Sequence, residues 1–138
     1  MDVLVLIGRI LFALLFLGSG FGHLAQRKPM AEYAKFKGVP LPEIAVPASG
    51  VLLLAGALSV LLGVWADLGM LLLIVFLVPT AFLMHPFWKE TDPQAKQGEM
   101  AHFNKDIGLA GAALMLFAFF AYVGTDLGLT LTGPLFSL

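Results

Sequence analysis

VLVLIGRILFALLFLGSGFGHLA, running from Val3 to Ala25, is an apolar run broken by one arginine and closed by three glycines and a histidine. It is either a helix that crosses a bilayer or a strand leading into a glycine-rich nucleotide loop, and that choice decides the fold. A hydrocarbon layer of about 30 Å takes roughly 20 helical residues at about 1.5 Å each, so the run is long enough to span. A dinucleotide turn needs a strand, then G-x-G-x-x-G or G-x-G-x-x-A, then a helix. Counted from Gly18 the last position is His23 and the pattern fails; counted from Gly20 it is Ala25 and the relaxed form is met. No strand precedes the glycines and cations follow them, so the segment reads as a membrane span. It differs from a cleaved signal peptide too: an acid stands at residue 2, the arginine lies inside the run, and Gly-x-Gly replaces Ala-x-Ala.

Three further runs qualify in the same way: Glu43 to Trp65, Leu68 to Phe87 and Met100 to Val123. With 59% hydrophobic and 12% charged residues in a chain of 138, one soluble core could not hide so much apolar surface. Barrel strands would alternate over about 10 residues, and these runs do not. The expected fold class is therefore all-α: a polytopic membrane protein folded as one four-helix transmembrane bundle. A net charge of −1 offers no footprint for nucleic acid, and the absence of cysteine removes disulfides, thiol exchange and thiolate metal sites.

The connections carry the polar residues. PMAEYAKFKGVPLP before the second span is a short amphiphilic segment whose Met30, Tyr33, Ala34 and Phe36 suit the membrane surface. KETDPQAKQGEM after the third span reads as a polar loop, and GTDLGLTLTGPLFSL at the end reads as an interfacial tail. Pro79 inside the third span has no N–H for the Val75 carbonyl, so a bend and a cavity are expected there. Arg27, Lys28, Lys35 and Lys37 lie in one connection and Lys89 and Lys96 in the other, with Lys105 just inside the fourth span. The positive-inside rule puts both connections in the cytoplasm and both termini outside.

On a helical wheel Arg9, Ala13, Phe16, Gly20 and His23 share one stripe. Gly18 and Gly22 form a G-x-x-x-G pair on another face, suited to packing a neighbouring helix, and Gly108, Gly111 and Ala112 offer a second small-residue face for a homo-oligomer. A charge inside an apolar span needs a partner; of Asp2, Asp67 and Asp126 the preferred one for Arg9 is Asp67, in a structural ion pair or anchor, with substrate binding as the other reading. His23, His85 and His102 come to one membrane face because an even number of crossings separates them. His102 and Asp106 share a face of the fourth span, flanked by Phe87, Trp88 and Phe103.

Three uses stand open for the histidines. They can exchange protons with the polar head of a lipid-soluble ligand such as a quinone, hold a metal as a three-histidine site, or only satisfy carbonyls and headgroups at helix ends. No flavin or nicotinamide loop and no matched histidine pair for haem is present, so electrons would have to come from a redox partner protein or a soluble donor.

The stretches GRILFALLFLGSGFGHL, MAEYAKFKGVPLP, GVLLLAGALSVLLGVWADLGMLLLIVFLVPTAFLMHPFW and NKDIGLAGAALMLF together resemble the DoxX family of small bacterial four-helix membrane proteins. The most specific marks are the early arginine, G-V-P before the second span, H-P-F-W closing the third and K-D-x-G-L-x-G-A opening the fourth. The resemblance implies a DoxX-like bundle linked to respiratory and quinone-related processes, with Arg9, His85, Trp88 and Asp106 on positions that match the family pattern. The candidate ligand-binding set is thus Arg9, His23, His85, Trp88, His102 and Asp106, in an accessory or binding subunit that meets quinone and membrane lipid. The alternative is a non-catalytic scaffolding or lipid-handling protein.

Overall fold

The computed structural model describes residues 1–138. Five α-helices account for most of the chain: α1 (Asp2–Ala25), α2 (Arg27–Phe36), α3 (Pro42–Leu62), α4 (Ala66–Met84) and α5 (Pro93–Val123). Four of them, all but α2, are long and apolar enough to cross a membrane. Many large apolar side chains on these helices point outward, Leu11, Val51, Val75 and Met115 among them, as lipid-facing surfaces do. α3 packs between α1 and α4, α5 packs on α4, and α2 lies against α3.

Small residues set how closely these helices approach. A Cβ on Gly20 of α1 would stand 3.0 Å from the Gly50 carbonyl of α3, and one on Gly69 of α4 would stand 2.9 Å from the Gly56 carbonyl. Gly18 and Gly22, the expected packing pair, have nothing within 4 Å, because they face away from the bundle. The inward stripe of α1 is Arg9, Ala13, Phe16 and Gly20, as the wheel placed it. Around it Leu53, Ala57, Val60, Met70, Leu73, Leu77, Ala110 and Ala113 form one apolar core.

Two connections differ from expectation. The stretch expected as a polar loop after the third span is already helix from Pro93, because the Asp92 carboxylate accepts the Ala95 N–H at 2.9 Å and proline suits the first turn. α5 therefore extends two turns past the apolar run, and its polar start holds part of the site. The C-terminal segment folds back onto the turn between α3 and α4: the Leu131 and Thr132 N–H groups donate to the Gly63 carbonyl at 3.1 and 3.0 Å. Gly63 has a φ of +67°, and a Cβ there would meet Arg9 and Thr130 below 3 Å, so both the left-handed turn and the packed tail require glycine.

The expected Arg9–Asp67 pair does not form. Arg9 is 4% exposed, and it donates to the carbonyls of Val60 (2.8 Å), Leu61 (2.7 Å) and Leu129 (2.7 Å). The first two belong to the last turn of α3, where carbonyls lack helical partners and the dipole is negative. Asp67 is fully buried in the first turn of α4, where the dipole is positive, and accepts the N–H groups of Leu135 (2.9 Å) and Phe136 (2.7 Å). Each charge serves backbone groups of its own, so neither needs the other.

Candidate functional site

At the opposite end of the bundle from Arg9, the N-terminal half of α3 and the C-terminal half of α4 border a cavity of about 860 Å³. α1, α2 and α5 complete its walls. Gly56 and Gly69 hold α3 and α4 together toward the other end, and the cavity opens where the pair runs past Ala48, Ser49 and Leu52 on one helix and Val75, Pro79 and Thr80 on the other. This is the region where Pro79 interrupts the helical ladder. Ala48, Val75, Pro79 and Leu83 both line the cavity and are exposed on the outer surface of the bundle, so its apolar side opens toward lipid.

The polar end is built from three connected elements. His85, at the C-terminal end of α4, donates from Nδ1 to Glu99 Oε2 at 2.7 Å, and its Nε2 lies 3.7 Å from Asp106 Oδ2. Lys37, in the connection after α2, reaches Glu99 Oε1 at 3.1 Å and Glu90 at 3.9 Å. Lys105 Nζ stands 3.6 Å from Asp106 Oδ1. The result is a chain of polar contacts, Lys37–Glu99–His85–Asp106–Lys105, that ties α5 to α4 and to the loop below α2. Burial works to lower the Lys37 ammonium, but its hydrogen bond to Glu99, the adjacent Tyr33 and the Glu99 charge outweigh burial and hold it above the ordinary lysine range.

The candidate residues separate into groups. His23, His85 and Asp106 line the cavity. His23 donates from Nδ1 to its own-helix Ser19 carbonyl at 2.7 Å and meets Phe76 edge-on, with ring centroids 5.6 Å apart. His102 stacks on His85 at 5.0 Å but is not a lining residue. Trp88 joins Phe82, Phe87 and Phe103 in an aromatic cluster and does not face the cavity. Arg9 lies at the far end of the bundle. No three His, Asp or Glu side chains are arranged to hold a metal ion, because His23 is turned to its own backbone and His85 is engaged by carboxylates.

Glu99 and Lys37 were missed as site residues. The signal for Glu99 was present: Glu99, His102 and Asp106 are three and then four residues apart, which places them on one helical face once the helix is allowed to begin at Pro93.

The model of the DoxX family matches residues 4–86. The chain belongs to the DoxX family. Inner membrane protein YphA of Escherichia coli (strain K12) is 31% identical over 114 residues, covering 83% of this chain and 81% of that protein. No solved structure matches the chain. Membership in the DoxX family agrees with the four apolar helices, and the chain is a multi-pass inner membrane protein. The DoxX match takes in Arg9, His23 and His85, whereas Trp88, Glu99, His102 and Asp106 lie beyond it.

Proposed function

We propose that this DoxX-family protein binds a quinone or a similar amphiphile between its helices, as an accessory or binding subunit of a redox-associated system. The observation that carries the reading is the 860 Å³ cavity, apolar along α3 and α4 and ending at His85 and Asp106. Such a shape fits a molecule with an apolar body and one polar head. The head lies near His23, His85 and Asp106, where imidazole and carboxylate exchange protons with it, and Glu99 passes the proton on toward the aqueous face. His102 supports the His85 ring by stacking, Trp88 anchors the same end at the headgroup layer, and Arg9 holds the far end of the bundle together. Electrons come from a partner protein or a soluble donor.

In this reading the Lys37–Glu99 end faces the cytoplasm and both termini face out, in line with the positive-inside rule for the cation-bearing connections. A second reading, a lipid-handling protein, draws on the exposed rim of Ala48, Val75, Pro79 and Leu83, through which an acyl chain could enter. Purification in mild detergent followed by mass and absorption analysis of extracted small molecules separates the two. A co-purifying quinone supports the first, a bound phospholipid the second, and an empty preparation that also fails to take up added quinone counts against both. A reporter fused after Leu138 that is active only in the cytoplasm tests the orientation: a signal there reverses it.

A further inference from the structure

We infer that, among the amphiphiles of the proposed site, the cavity prefers those whose head donates hydrogen bonds, a phenol or other hydroxyl, so that the reduced hydroquinone form binds more tightly than the quinone, whose head only accepts. The inference rests on the proposal of an amphiphile site and names its chemical preference.

The argument is an account of which lining groups already have fixed hydrogen-bond roles. A carbonyl oxygen only accepts, so the contact of 2.7 Å between His23 Nδ1 and the Ser19 carbonyl places a proton on Nδ1. In the neutral ring that leaves Nε2 as an acceptor. Nε2 makes no protein hydrogen bond, and no buried side-chain nitrogen or oxygen lacks a partner, so this nitrogen is accessible beside the cavity that His23 lines. Ser49 spends its only hydrogen on the Val46 carbonyl at 2.7 Å, so toward the cavity it too can only accept. Asp106 is 5% exposed and receives no hydrogen bond within the protein; Lys105 and His85 approach its oxygens only to 3.6 and 3.7 Å. Its carboxylate is thus charge-balanced but short of donors. Pro79 has no N–H for the Val75 carbonyl, and both residues line the wall.

The roles fixed at His23, Ser49 and Asp106 are all acceptors; His85, whose Nδ1 is spent on Glu99, turns its Nε2 toward Asp106 at 3.7 Å and adds a donor there only when its ring is protonated. On the donor side stands the Lys105 ammonium, whose side chain is 53% exposed and already leans on Asp106. Ser19, Tyr33 and Thr80 carry hydroxyls that can turn either way and do not alter the balance. A ligand with only carbonyl or ether oxygens would leave the His23, Ser49 and Asp106 acceptors dry and unmet, whereas a hydroxyl head fills them.

The test uses the purified full chain in lipid nanodiscs and two probes, a decyl-substituted hydroquinone kept reduced and its dimethyl ether, which differ in donor capacity and not in the alkyl body. Calorimetric titration is expected to give a hydroquinone affinity on the order of ten-fold higher, the effect of one or two added hydrogen bonds. His23→Ala and Ser49→Ala each shrink that ratio, the two affinities being compared within each variant, and retained ether binding shows that the cavity is intact. Equal affinities, or a ratio that neither variant moves, overturn the preference while the amphiphile site stands. Failure of both probes to bind overturns the site itself and the preference with it. Should a variant lose ether binding through misfolding, the wild-type ratio alone decides.

Discussion

His85 Nδ1 and Glu99 Oε2 lie 2.7 Å apart although 14 residues separate them, and through this contact the end of α4 is fastened to the polar start of α5. The other oxygen of the same carboxylate holds Lys37 at 3.1 Å. One carboxylate therefore serves an ammonium and an imidazole from two further segments.

Replacing Glu99 by alanine leaves Lys37 with Glu90 alone at 3.9 Å and removes the hydrogen-bond partner of His85 Nδ1. The group is partly solvated, so the expected cost is about 1–3 kcal/mol, below that of a fully buried pair. Thermal unfolding in detergent should show a lower midpoint for Glu99→Ala and a smaller drop for Glu99→Gln. An unchanged midpoint for Glu99→Ala would mean that the network does not hold the two helices.

The Lys37 ammonium titrates above its ordinary range, so its bridge is fully formed below the pKa of an unfolded lysine and is lost as pH rises through the higher folded value. Lys37→Met should therefore be less stable than wild type at neutral pH, and the gap between them should close in the alkaline range. A gap that stays constant across that range would show that the ammonium charge is not what Lys37 contributes.

Two glycines of α1, Gly18 and Gly20, should respond in opposite ways to the same substitution, with Gly69 of α4 following Gly20. A methyl group at Gly69 would sit 2.5 Å from Ser59 Oγ, which is itself held by the Val64 carbonyl at 2.6 Å, and one at Gly20 would press on Leu54 and the Gly50 carbonyl. Gly69→Ala and Gly20→Ala should each cost about 1–3 kcal/mol through overpacking. Gly18→Ala has open space and should be neutral, or stabilising by up to about 1 kcal/mol from helix propensity. Chemical unfolding of the three variants side by side provides the comparison, and equal losses would refute the assignment of Gly20 as the packing residue.

Arg9→Lys keeps the charge but loses the fork that reaches three carbonyls. A single ammonium cannot satisfy Val60, Leu61 and Leu129 together, so a loss of about 2–4 kcal/mol is expected, with Arg9→Met at least as damaging. Limited proteolysis should find the segment from Leu127 onward more readily cut in either variant. Resistance equal to wild type would show that the guanidinium does not hold the tail.

Much of this architecture was legible in the residues. Run lengths place the four spans, the wheel puts Arg9, Ala13, Phe16 and Gly20 on the inward stripe, and the parity of crossings brings His23, His85 and His102 to one end. The tail was not legible, because a Gly- and Pro-punctuated apolar segment carries no period and its docking depends on where distant helix ends leave unpaired carbonyls and N–H groups. The partner of Arg9 was missed for the same reason: charge pairing was sought among carboxylates, while the helix terminus offered carbonyls. Glu99 was hidden by hydropathy, which marks where a helix becomes apolar and not where it begins.

The closure of Leu129 onto Arg9 also has a consequence for biosynthesis. The two residues are 120 apart, so at roughly 5–20 residues per second Arg9 is synthesised about 6–24 s before the carbonyl that completes its shell exists. During that interval the first span carries an unfinished charge and must be shielded by water, by headgroups or by the insertion machinery. A chain interrupted before Leu129 never leaves that condition, so an incomplete end of the protein is registered as instability at its beginning.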